Sequence, residues 1–316
     1  MNVAEQKTAH KISQFQVYDT ELAARFSPDA WKMIAAFRDR PTFLDSVIVY
    51  ERLFSDSFFS NPVMTMTMRE AWRFQIFVMA LYLHDTHDPK VPRSGLTMAN
   101  LQKLCVSQKL ASAGRVVEIL NTLTNGGYFK RVQSSRDKRI IHFKRTALTE
   151  KMLVKWDTSV FAVIDHIIPD AGLSASYAAN PDLGNAVRMA IAIMRLQNRN
   201  TIDRLPEIEF FYSKAGGWSM LARCAALTLQ QPSDAPAALK LELNNLSTEF
   251  AASKSSLHRL LEAAYQQGLL AEPPVDGRNV ILTNELLSTF FAWFSMFFGS
   301  HYYCAKSLQA ANTGVV

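Results

Sequence analysis

The sequence predicts a mainly α-helical protein with small β-hairpins, built as two similar halves, and three observations carry that expectation. Apolar residues recur at helical spacing along most of the 316 residues. Four landmarks occur twice in the same order, the mark of an internal repeat. In each half a pair of helical stretches is followed by short runs rich in β-branched and aromatic residues, broken by polar turns.

The landmarks define the halves. "DAWKMIAAFR" (29–38) resembles "NAVRMAIAIMR" (185–195), each behind a proline, Pro28 or Pro181, near a helix start. "AWRFQIFVMALYL" (71–83) parallels "GWSMLARCAALTL" (217–229), with Trp72 and Trp218 in matching places. "LASAGRVVEILNTLTNGGYF" (110–129) aligns without a gap on "AASKSSLHRLLEAAYQQGLL" (251–270), Gly127 falling on Gly268. "LTEKML" (148–153) matches "LTNELL" (282–287), each opening another apolar helix. The expected domains are therefore 1–175 and 176–316, related by duplication. The tails, 1–18 and about 307–316, read as loose.

Within the unit, a short helix near 99–106 and a turn precede a helix whose Val116, Ile119, Leu120 and Leu123 share one buried stripe. That is a helix-turn-helix. Gly127 stands where the chain must enter the left-handed region to end the helix. "YFKRV" and "RIIHF" then read as strands around the loop "QSSRDK". Helix, turn, helix and hairpin make a winged helix. The second copy keeps the stripe as Leu257, Leu260, Leu261 and Ala264, and "LLAEPPVDGRNVIL" gives a hairpin turning at Asp276-Gly277. The fold class expected is thus two fused winged helix-turn-helix domains, mainly α with small hairpin wings.

The two wings differ in charge. Residues 130–145, "KRVQSSRDKRIIHFKR", carry Lys130, Arg131, Arg136, Lys138, Arg139, Lys144 and Arg145 against Asp137 alone, a sum of +6. The whole chain is also +6, so everything outside the first wing is neutral in sum. The second wing, 271–282, is shorter, and Glu272, Asp276 and Arg278 sum to minus one.

Other features narrow the classes. Hydrophobic residues make up 48% of the chain, enough for a sizeable core. Cys105, Cys224 and Cys304 are far apart and form neither a disulfide framework nor a metal pair, which fits a reducing, cytoplasmic compartment. The N-terminus lacks a secretory apolar core. The longest apolar stretch, "LLSTFFAWFSMFFG" (286–299), is shorter than the roughly 18 residues a membrane span needs and reads as a buried or interface helix. "HDTHD" (84–88) offers two imidazoles and two carboxylates, but no further cluster completes a zinc site by spacing, and a polar helix end is the simpler reading. There is no GxSxG, glycine-rich phosphate loop, HExxH or motif-paired cysteine, so neither an enzyme nor a cofactor is expected. Trp31, Trp72, Trp156, Trp218 and Trp293 sit among apolar neighbours and read as core.

The segments "LTMANLQKL", "GRVVEILNTLTNGGYFKR", "SSRDKRIIHFKRTALTEKM" and "SKSSLHRLLEAAYQQGLL" resemble the MarR-type winged-helix transcriptional regulators of bacteria, over about 68–170 and 215–300. The resemblance implies sequence-specific binding to double-stranded DNA, with repression by occluding a promoter. It also leaves room for a homodimer and for relief by a small aromatic effector, some of the aromatics then lining its cleft. Two copies in one chain depart from the family's pattern and imply a covalent pseudo-dimer. Where the family tends to carry a recognition-helix arginine the first copy has Glu118 and the second Arg259. The wing-tip Asp-x-Arg appears as Asp137 and Arg139 only in the first half.

On this reading the second helix of each copy enters the major groove and the wing follows the backbone. Base readout is expected from Ser112, Ala113 and Arg115, and from Lys254, Ser255, Ser256, His258 and Arg259. Arg115 has a second use open to it, pairing with Glu118 one turn on. Lys130, Arg131, Lys138, Lys144 and Arg145 are expected on phosphates. Arg136 or Arg139 is expected in a narrow minor groove, with Arg278 the lone cation of the second wing. Two alternatives remain at this point. One is a plasmid-type replication initiator, which also joins two winged helices. The other is a protein whose second winged helix docks a partner instead of DNA.

Overall fold

A computed structural model describes residues 17–59, 61–91, 93–135, 137–197, 204–231, 238–275 and 279–313. These form fifteen α-helices and four short strands. The first half runs α1 (Asp19–Ala24), α2 (Pro28–Arg38), α3 (Phe43–Phe58), α4 (Pro62–Met68), α5 (Ala71–Asp85), α6 (Met98–Ser107), α7 (Ala113–Asn125), β1 (Phe129–Gln133), β2 (Ile141–Arg145) and α8 (Ala147–Ile167). Then come α9 (Leu173–Ala179), α10 (Asp182–Leu196), α11 (Pro206–Tyr212), α12 (Gly217–Gln230), β3 (Leu239–Lys240), α13 (Leu243–Glu249), α14 (Lys254–Gln266), β4 (Asn279–Val280) and α15 (Asn284–Thr313).

Helix starts follow the capping residues. Ser27 accepts from the Ala30 amide with Pro28 behind it, and Asn61 accepts from the Val63 and Met64 amides ahead of Pro62. Thr97, Thr146 and Ser253 cap α6, α8 and α14 in the same way. The anticipated stripe of α7 is buried at 0 to 1% exposure, and that of α14 at 0 to 4%.

Residues 96–149 and 239–286 repeat one set of backbone bonds. The turn after α6 passes through Lys109 at φ 54° and that after α13 through Ala251 at φ 49°. Leu110 then bonds back to Cys105, and Ala252 to Ser247. At the far end of the next helix Gly127 (φ 80°) and Gly268 (φ 72°) take the left-handed position. There Tyr128 N–H reaches Leu123 C=O, and Leu269 N–H reaches Ala264 C=O. Thr146 N–H bonds to Tyr128 and Thr283 N–H to Leu269, closing each hairpin onto the helix that follows. In both segments the residues before the first helix pair with the returning strand, Thr97 with His142 and Leu239 with Val280.

Two strand expectations shift. The first hairpin pairs Phe129 with Arg145 through Gln133 with Ile141, two residues beyond the expected second strand, because Ile140 N–H bonds back to Asp137 and the tip consumes 137–140. In the second half Asn279–Val280 pairs with β3, and among the described residues the hairpin itself is reduced to one bridge, Leu270 with Leu282, plus Ala271 N–H to Ile281. The expected Asp276-Gly277 turn and Arg278 lie outside the described residues.

The halves interleave. α15 packs on α2 and α10, α3 packs on both α8 and α12, and α5 meets α10. The two long helices, α8 and α15, touch each other little and are linked mainly through these neighbours. The anticipated boundary at 175 falls inside α9. The apolar run in α15 is buried on every side from Leu286 to Ser295, Phe290, Ala292 and Phe294 at 0% exposure, which explains a helix apolar all round without a membrane. Among the described residues no helix is long and apolar enough to cross a membrane.

Candidate nucleic-acid interface

The buried stripe of α7 rests on α5 and α6, which leaves its N-terminal turn outward: Ser112, Ala113 and Arg115 are exposed. Ser112 has extended backbone and makes no side-chain cap bond, so its hydroxyl is not spent on the helix. Arg115 does not take the pairing with Glu118. Glu118 receives Arg73 at 2.9 Å, and Arg73 is also held by Glu70 at 2.7 Å. The Arg115 guanidinium lies 4.9 Å from the centre of the Trp72 ring, a cation–π contact that orients it without neutralising it.

The first hairpin sorts its cations into three groups. Lys130 and Lys144 are exposed and directly opposite in the register, a like-charge pair that an anion would relieve. Arg131 donates to Asn121 at 2.9 Å, and Lys138 is exposed beside the tip. Arg139 is 87% exposed in its side chain yet fixed by two bonds of 3.1 Å to Asp137, whose carboxyl Arg139 holds below its ordinary pKa. A fork fixed at the tip of a hairpin needs little further ordering to enter a groove. Arg136 lies outside the described residues.

Arg145 is placed differently from the other cations of the hairpin. Its side chain is only 15% exposed, bonded to Asp85 and ion-paired with Glu150 at 2.9 Å, so it ties the hairpin to α5 and α8. Asp85 belongs to the "HDTHD" run, whose chemistry is thereby partly structural; His84 also reaches Asp85 at 2.8 Å, and His87 bonds to Ser94. Among the described residues no group of three or more His, Cys, Asp or Glu is placed to hold a metal.

Two cations escaped the sequence reading. Arg93 is exposed and lines a groove with Arg131 and Arg139 along the wing. Its loop is pinned by Asn100, whose amide donates to the carbonyls of Arg93 at 2.7 Å and Gly95 at 2.8 Å. Lys109, in the left-handed turn, borders the surface groove that Arg115 also lines. The bridge of Thr97 with His142 brings the Arg93 loop beside the hairpin.

The second half presents less. Lys254, Ser255 and Arg259 are exposed, Arg259 donating to the Ser255 carbonyl at 3.3 Å. Ser256 is half-buried, and its hydroxyl and amide both bond to Ser253. His258 lies 3.4 Å from Glu262, which leaves it half engaged. Beyond α14 the described hairpin residues include exposed Glu272 and no cation.

Compared with protein-family models, curated proteins and solved structures, the chain finds no match. The resemblance to MarR-type regulators therefore rests on the residues quoted for it.

Proposed function

We propose that this protein binds double-stranded DNA sequence-specifically as a transcriptional regulator, carrying two winged helices as a single-chain pseudo-dimer whose first half is the electrostatic anchor. One observation carries the reading: a hairpin with five exposed cations, Lys130, Arg131, Lys138, Arg139 and Lys144, follows a helix whose N-terminal turn is bare and bears Arg115. Cations spaced along a ribbon release counterions from a phosphate backbone, and an arginine fork fixed at the tip suits a narrow minor groove. Occupancy of a promoter then represses by occlusion. A second reading has its own observation. The second half carries fewer exposed cations around its hairpin among the described residues, Lys240, Lys254 and Arg259, which favours a half that supports the first or docks a partner.

The test is selection from a random duplex pool by the full chain and by the variant Arg136→Ala, Lys138→Ala, Arg139→Ala. The wild type is expected to enrich a sequence. The variant is expected to bind it roughly a hundredfold more weakly near physiological salt, with a salt slope shallower by about three. Equal binding by both, or enrichment by neither, rejects the reading.

A further inference from the structure

The first hairpin has two faces, because side chains alternate along a strand. Lys130 and Lys144 pair across one face, Arg131 and Phe143 across the other. On that second face Phe143 is buried and its N–H bonds to the Leu96 carbonyl, which ties the hairpin to the segment leading into α6. Between the hairpin and the start of α6 runs a surface groove of about 620 Å³. Arg93, Arg131 and Arg139 all line it.

Three guanidinium groups there face one carboxylate, Asp137, a sum of plus two. Asp137 is engaged by Arg139 through two bonds of 3.1 Å. Arg131 donates to the neutral side chain of Asn121 and keeps its charge unbalanced. Arg93 is exposed and has no ion pair among the described residues. Its place is fixed through the main chain instead. Asn100 donates to the carbonyls of Arg93 and Gly95, and the Ser94 hydroxyl donates to the Asp88 carbonyl at 2.6 Å. Like charges gathered on one groove repel each other, and an anion between them relieves the repulsion. The guanidinium fork matches the paired oxygens of a phosphate. A duplex carries phosphates on both sides of its minor groove, which is about 6 Å wide. A two-stranded ribbon that enters this groove at its tip turns one face to each strand.

We propose that the groove between the first hairpin and α6 holds backbone phosphates of one DNA strand through Arg93 and Arg131, while Lys130 and Lys144 on the opposite face meet the other strand. The site rests on the DNA reading and deepens it in two ways. It brings in a contact from outside the hairpin, Arg93, and it divides the hairpin cations between the strands.

The experiment uses the full chain and the duplex it selects, with single phosphates replaced one at a time by neutral methylphosphonates along each strand. Wild type is expected to weaken at positions on both strands bordering one minor groove. Arg93→Ala leaves the main-chain bonds of its loop in place. It should bind the unmodified duplex about fivefold more weakly, with a salt slope shallower by about one, and should lose its methylphosphonate sensitivity on one strand only. Lys130→Ala combined with Lys144→Ala should lose it on the other strand. Lys32→Ala removes an equal charge from the exposed side of α2 and should change nothing. If wild type selects no duplex, the DNA reading fails and the groove site with it. If wild type binds and Arg93→Ala binds equally well, if Lys32→Ala weakens binding as much, or if both hairpin faces prove sensitive on the same strand, the groove site alone is overturned. Inorganic pyrophosphate titrated into the full chain without DNA separates a free phosphorylated ligand from a duplex. Binding tighter than millimolar that Arg93→Ala removes would assign the groove to such a ligand and overturn its assignment to DNA.

Discussion

The segments 96–149 and 239–286 run the same backbone course and present different surfaces. The repeated features are few: a left-handed residue in the turn, Lys109 or Ala251; a left-handed glycine at the helix end, Gly127 or Gly268; a stripe of four apolar side chains; a threonine closing the hairpin, Thr146 or Thr283. Everything outward is free to diverge, and it has. The first hairpin carries exposed cations where the described part of the second carries Glu272. Specifying a backbone takes a handful of positions, so likeness of fold says little about likeness of use.

If the two units are structurally equivalent, their cores should respond alike. Leu120 and Leu261 occupy corresponding stripe positions and are 0% and 1% exposed. Leu120→Ala and Leu261→Ala are each expected to cost about 3 to 4 kcal/mol, lost transfer energy plus the cavity left behind. Urea unfolding of both variants measures this. A difference above about 2 kcal/mol between them would break the equivalence, showing that one helix is seated in a core that relaxes and the other in one that does not.

The long helices that follow the hairpins sharpen the contrast through acid. α8 buries Asp157 and α15 buries His301, at 4% and 5% exposure. Burial raises the Asp157 pKa despite the opposing Arg188. Burial lowers that of His301 to about 4, opposed by its bond to the Phe297 carbonyl and assisted by Arg195 and Arg188. The signs are opposite. An unfolded histidine titrates near 6.5, so the unfolded chain binds more protons between there and 4, and stability falls as pH falls through that window. The loss should reach about 3 kcal/mol by pH 4. Asp157 acts the other way, its protonation favouring the folded state as pH drops. His301→Gln is therefore expected to flatten the acid limb between pH 7 and pH 4 in urea unfolding. An unchanged limb would mean that His301 is hydrated rather than sealed.

These differences mark what the sequence could carry. Val116, Ile119, Leu120 and Leu123 were legible because helical burial is a local periodicity, and Gly127 because a left-handed helix end is a local demand. The charge density of 130–145 was legible because it needs only counting. The pairing of Arg145 was not legible because its partner, Asp85, lies sixty residues upstream and reaches it only through the packing of α5 beside the hairpin. Arg93 was missed for the same kind of reason, its loop being brought to the wing by the pairing of Thr97 with His142.

The smallest expected effect separates backbone from surface most directly. Lys109 and Ala251 hold positive φ, which an L residue adopts at a cost and glycine does not. Glycine also gives the unfolded chain more freedom, which cancels part of the gain. Lys109→Gly and Ala251→Gly are thus each expected to stabilise by about 0.5 to 1 kcal/mol in urea unfolding. Their effects on DNA should differ. Ala251→Gly removes a methyl group and should leave affinity unchanged. Lys109→Gly removes an exposed cation that borders the same groove as Arg115, and should weaken DNA binding roughly fivefold near physiological salt, with a slope shallower by about one. Equal stabilisation with unequal binding is the outcome that two like backbones with unlike faces require. Equal binding by both variants would mean that the α6–α7 turn does not face the phosphates, and would leave the hairpin as the sole anchor of the first half.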